Sequence, residues 1–99
     1  MPRMTTTELQ AIPGWKTTPD DSFLPDVDNS SDLGSASFKV RSGYFGTNLT
    51  AAQFRLSALN TAPSSAADTG ALGEIRIVDG FIYVCVATNT WQKVAIATW

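Results

Sequence analysis

A chain of 99 residues, 43% of them hydrophobic, is enough for one small domain. Charged residues are 16% and the formal net charge is −2, with 7 Lys+Arg against 9 Asp+Glu, so nothing marks a surface for nucleic acid or anionic lipid. There is no histidine, which excludes Ser–His–Asp and Cys–His catalysis, histidine metal sites and histidine pH switching.

Residues 1–37 hold four of the five prolines: Pro2, Pro13, Pro19 and Pro25. They hold only 11 hydrophobic residues in 37, whereas residues 73–99 hold 16 in 27. Such a segment, rich in Thr, Ser and Asp, cannot build its own core. It reads as an extended N-terminal arm that lies on a sister subunit or a larger assembly, anchored by Leu9, Ile12, Trp15, Phe23 and Leu24. The first ten residues are polar and lack the apolar region of a signal peptide, so the protein is expected to work without export. No apolar run approaches the ~20 residues of a membrane span, and no membrane insertion is expected.

Asp26, Asp28 and Asp32 invite a calcium reading, because Ca²⁺ takes six to eight closely spaced oxygens. Ser31 and Ser37 stand where an EF-hand needs Gly and Glu, so that motif is absent. A solvated, turn-forming acidic loop is the simpler reading.

Residues 38–99 read as a small β domain. In Phe38-Lys39-Val40-Arg41-Ser42-Gly43-Tyr44, period two places Phe38, Val40 and Tyr44 on one face, as in a half-buried strand. Residues 49–59 fit a helical stripe (Leu49, Ala52, Leu56, Leu59) or a strand (Phe54, Leu56, Ala58). The strand is preferred, because no strong cap precedes the window. Residues 60–72 read as a linker, with turn formers and no periodicity.

Residues 73–99 read as a three-stranded antiparallel meander. Ile75 and Ile77 alternate with polar neighbours, and Asp79-Gly80 is the pair that a two-residue type I′ hairpin prefers. Phe81 to Ala87 forms the next strand, Thr88-Asn89-Thr90 a turn, and Trp91 to Ala97 the last strand. The central strand is apolar on both faces, so a second layer or another subunit must cover it.

No catalytic residue is assigned. Glu74 lies on a polar strand face beside Arg76, and Asp79 is explained by its turn. Gly70-Ala71-Leu72-Gly73 matches no phosphate loop. The single cysteine, Cys85, sits among apolar residues and reads as core rather than as a disulfide partner. No metal site and no cofactor are expected. An exposed Trp or Tyr can stack on a sugar, but core or interface packing is the simpler role for the aromatics. Trp99 reads as a closing plug or an interface anchor.

Several strings match a known pattern at collinear spacing. They are Asn60-Thr61-Ala62-Pro63-Ser64-Ser65-Ala66, Thr69-Gly70-Ala71-Leu72-Gly73-Glu74-Ile75-Arg76, Phe81 through Ala95, and Thr98-Trp99. Together they resemble the C-terminal region of tailed-bacteriophage tail fibres and virion appendage proteins. The departures are Lys93, where Arg is usual, and Ile96, where Leu is usual. Asp28-Asn29-Ser30-Ser31-Asp32-Leu33-Gly34-Ser35 also resembles a turn of phage fibre repeats. The resemblance implies a virion structural protein, an interwoven β-rich homotrimer, with no enzymatic activity and no cofactor.

The expected fold is all-β: a short antiparallel meander or sandwich, interwoven in a homotrimer, with an extended N-terminal arm. The expected subunit interface is Phe81, Tyr83, Val84, Val86, Trp91, Ile96 and Trp99. The expected function is a small fibre or appendage of a tailed phage virion, attached through its arm to tail, baseplate or capsid proteins and contacting a host surface glycan. The alternatives are a capsid decoration protein that stabilises the head, a glycan-holding receptor-binding tip, and an unrelated monomeric β domain with a flexible tail.

Overall fold

Val78 and Phe81 face each other across Asp79-Gly80, and the chain reverses there into its main sheet. The computed structural model describes residues 12–99. The described residues contain no helix; their five strands form two small antiparallel sheets, an all-β architecture. The chain divides into two units, Met1–Leu49 and Thr50–Trp99.

In the first unit, β1 (Trp15–Thr17) pairs antiparallel with β2 (Phe23–Pro25) in the register Trp15↔Pro25, Lys16↔Leu24, Thr17↔Phe23. The hairpin forms because Pro19-Asp20-Asp21 suits a tight reversal. Asp21 takes φ +67°, its N–H donates to the Thr18 carbonyl at 3.1 Å, and the Thr18 N–H donates to the Ser22 carbonyl at 3.0 Å. The Thr18 hydroxyl donates to the Asp20 carboxylate. This contact, first among several hydrogen bonds, holds that carboxyl below its usual range. On one face the Trp15 and Phe23 rings stack 4.8 Å apart at 8°. The segment expected to run as an extended arm thus carries a hairpin of its own.

The second unit holds β3 (Ile75–Val78), β4 (Phe81–Ala87) and β5 (Thr90–Ala95), ordered β3-β4-β5 with β4 central. This is the meander that the alternation of residues 73–99 implies. Its first turn differs in type. Gly80 has φ +85°, but Asp79 is not among the residues of positive φ. One positive φ at the second position is the signature of a type II turn, not of type I′. At the second turn Asn89 takes φ +55°, and the ladder is irregular between Cys85 and Ala87, as at a β-bulge.

The strands expected within residues 38–59 do not form; that stretch is bends and irregular backbone. Phe38, Tyr44 and Phe54 are 83%, 94% and 77% exposed. A strand needs a neighbouring edge, and among the described residues none is paired with them. Residues 60–72, read as a linker, instead lie against the sheet. The Asn60 N–H donates to the Ile77 carbonyl and its Oδ1 accepts the Ile77 N–H, both at 2.8 Å, which closes the outer edge of β3 there.

Candidate functional site

The registers Val78↔Phe81↔Ala95, Arg76↔Tyr83↔Lys93 and Cys85↔Trp91 place one set of side chains on one face of the sheet. The registers Ile75↔Val84↔Gln92 and Ile77↔Ile82↔Val94 place another set on the opposite face. Strand alternation therefore makes an aromatic, charged face and an aliphatic face.

On the aromatic face, Trp91 is buried and its ring lies on Gly70. A Cβ at Gly70 would come 2.5 Å from that ring. The Trp91 Nε1–H donates to the Asp68 carbonyl at 3.0 Å, and its backbone N–H donates to Ala66 at 2.9 Å. The Arg76 guanidinium lies 4.6 Å from the centroid of the Trp91 ring, a cation–π contact. Arg76 Nε also donates to Glu74 Oε2 at 2.8 Å. Asn89 holds Gly70 from the far side: its N–H donates to the Gly70 carbonyl and its Oδ1 accepts the Gly70 N–H.

Two carboxylates tie the loop down. Asp68 accepts the Ser64 and Thr69 N–H groups, each at 2.8 Å, and these bonds hold its carboxyl below the usual range. The Arg76 hydrogen bond does the same for Glu74, helped by the Ala71 N–H. Cys85 is fully buried, in keeping with its reading as core.

Between the loop and β5 the aromatic face opens into a cleft of 290 Å³, lined by Pro63, Ser64, Ser65, Tyr83, Trp91 and Lys93 among others. The Lys93 ammonium lies 4.7 Å from the Phe81 ring centroid, and Phe81 is tilted against Tyr83 at 6.0 Å.

The aliphatic face is more open. Ile75, Val86 and Val94 are 59%, 42% and 57% exposed. It carries three depressions: 390 Å³ lined in part by Phe54, Leu56 and Ile75, 550 Å³ lined in part by Leu59, Ile77 and Ile96, and 180 Å³ lined in part by Ile82, Val84 and Val94.

The seven residues expected at a subunit interface therefore do not share one surface. Phe81, Tyr83 and Trp91 lie on the aromatic face, and Trp91 is consumed by packing within its own chain. Val84, Val86 and Ile96 belong to the aliphatic side. Trp99 is fully exposed, so it plugs nothing among the described residues. Of the expected arm anchors, Trp15 and Phe23 stack on each other. Ile12 is half-buried and its carbonyl accepts the Trp15 N–H, while Leu24 is 39% exposed. Leu9 lies outside the described residues. Asp26, Asp28 and Asp32 are exposed, in a stretch of bend, turn and irregular backbone after β2.

No family model matches the chain, and no solved structure matches it. Among curated proteins it is 53% identical over 36 residues to "Depolymerase 1, capsule K30/K69-specific" of Klebsiella phage K5-2, which is 36% of this chain and 4% of that protein. It is 43% identical over 44 residues to "Depolymerase, capsule K30/K69-specific" of Klebsiella phage K64-1, which is 44% of this chain and 6% of that protein. The chain thus matches a small fraction of the length of these relatives. The similarity supports a phage origin and, at that coarse level, the likeness to virion appendages. It also corrects one expectation. The resemblance implies no enzymatic activity, but both relatives are by name depolymerases, which are enzymes. Missing histidine excludes only histidine-based routes. Glycoside cleavage commonly uses paired carboxylates, which a histidine count does not address.

Proposed function

We propose that this chain is an assembly module of a phage tail appendage, a fibre or spike directed at a bacterial capsule. It associates as a homotrimer through the aliphatic face of the β3-β4-β5 sheet. The observation that carries the reading is that face: Ile75, Ile77, Ile82, Val84, Val86 and Val94 form a largely aliphatic surface, with Gln92 its polar member and Lys93 and Asp79 at its borders, only partly covered by Phe54, Leu56 and Leu59. Exposed contiguous apolar surface of this kind marks an interaction site. Three copies in cyclic symmetry close a prism with the three aliphatic faces inward, and no face is left open. The partial likeness to phage capsule depolymerases supports a place on the tail. Nothing in it favours the head-decoration alternative.

In this reading the aromatic face looks outward, and the interface consists of Val84, Val86 and Ile96 together with Ile75, Ile77, Ile82 and Val94. Trp99 adds an anchor against a neighbouring copy. The N-terminal unit, through Ile12, Trp15, Phe23, Leu24 and Leu9, attaches the module to other virion proteins.

The test is Val84→Asp. A carboxylate there is buried unpaired on assembly, which costs several kcal/mol per copy. Analytical ultracentrifugation should find the variant monomeric but folded, with its β circular-dichroism signal kept. An assembled, soluble Val84→Asp protein contradicts the proposal. Gold-labelled antibody against the chain should mark tails in electron micrographs of the phage, and label confined to heads would favour decoration instead.

A further inference from the structure

We infer that the cleft between the 63–66 loop and β5 is a subsite for a single acidic sugar residue. Its chemistry is mixed in the manner of a ligand site rather than of a packing defect. Pro63 and the half-buried Tyr83 ring supply an apolar floor, backed by the buried Trp91 ring, whose own faces are taken by Gly70 and Arg76. Ser64 and Ser65 stand exposed at the rim, where Ser65 Oγ accepts the Ala67 N–H and keeps its hydroxyl proton for a ligand. A pyranose ring presents that pair of demands: C–H groups that lie on an aromatic ring, and hydroxyls that need donors and acceptors around the edge. The volume of 290 Å³ lies just below the usual range of ligand pockets, about 300–1,000 Å³, which suits one ring and not a long chain.

The backbone adds polar capacity. Ladder alternation turns the N–H and C=O of Trp91 and Lys93 toward the outer edge of β5. The Trp91 N–H is taken by the Ala66 carbonyl. The Lys93 groups, two residues on, have no such partner among the described residues and border the cleft.

Charge selects the class of sugar. Arg76 is engaged by Glu74 and by the Trp91 ring. Lys93 has no carboxylate partner among the described residues, and its ammonium rests against Phe81. The Lys93 side chain lines the cleft, and a ligand carboxylate there exchanges the exposed ammonium's contact with Phe81 for an ion pair, with no hydrogen bond or salt bridge of the fold broken. The subsite is therefore fitted to a uronic acid, or another carboxylate-bearing sugar, over a neutral hexose.

The choice of a saccharide rests on the reading of the chain as part of a capsule-directed appendage. The cleft itself does not. The experiment titrates ¹⁵N-labelled protein with sodium glucuronate, glucose and sodium acetate at constant ionic strength, following the amides of Ser64, Ser65 and Lys93. Saturable shifts are expected with glucuronate at millimolar concentration, weaker ones with glucose, and none with acetate. Lys93→Met, an exposed substitution that leaves the fold intact, should weaken glucuronate about tenfold and change glucose less than about twofold. The proposal is overturned by any of three results: no saturable shift with either sugar, equal shifts with acetate, or glucuronate binding unchanged in Lys93→Met. The oligomeric mass of the same sample separates the two ideas. Trimer without sugar binding removes the subsite alone, and monomer with sugar binding removes the assembly reading alone.

Discussion

Gly70 has no side chain because the Trp91 ring occupies the space that one would fill. Gly70→Ala should therefore destabilise the second unit by roughly 1–3 kcal/mol, the range for overpacking a tight site, read as a lower urea midpoint. Trp91→Ala should cost more, about 3–5 kcal/mol, as for other buried aromatics cut back to alanine. Acid should loosen the same place. Asp68 and Glu74 both have lowered proton affinity in the fold. A carboxyl of that kind stabilises the fold above its unfolded pKa, near 4, and loses the contribution as pH falls through its lower folded value. The melting temperature should be flat from pH 7 to 5 and drop below about 4, and Asp68→Asn should flatten that drop. At this scale the sequence was partly legible. Cys85 reads as core from its apolar neighbours. The roles of Gly70 and Asn89 do not, because each depends on a partner 19 or more residues away.

Among the elements, the meander was the most legible part, since alternation and turn residues agree along β3, β4 and β5. The Asp79-Gly80 turn shows the limit of such reading: the dipeptide marks the reversal, but only Gly80 uses positive φ. Gly80→Ala should cost about 1 kcal/mol or somewhat more, since a Cβ at φ +85° is strained. Asp79→Ala should cost less than Gly80→Ala, whereas a type I′ turn would make both costly. Thermal denaturation of the two variants decides. The pattern at residues 38–44 predicts a strand equally well by period, yet none forms, because alternation specifies a face and not a partner. Residues 60–72 failed in the opposite sense. Without periodicity they read as a linker, although Asn60, Asp68 and Gly70 bind them to the sheet through backbone groups and one side-chain amide. Such contacts leave no repeating signal in composition.

For the molecule as a whole, the sheet has one face satisfied by its own loop and one not. The two-sided apolar character of β4 was visible in the sequence. Which side the chain covers itself was not, because that depends on where Trp91 and the 60–72 loop fold back. The proposed trimer follows from the uncovered side, and its most direct test is the mass of the purified full chain in solution. Light scattering across a gel-filtration peak should give three times 10.6 kDa, independent of concentration over the peak. A mass of 10.6 kDa would contradict the account, since the aliphatic face of β3-β4-β5 would then stand in water without a partner.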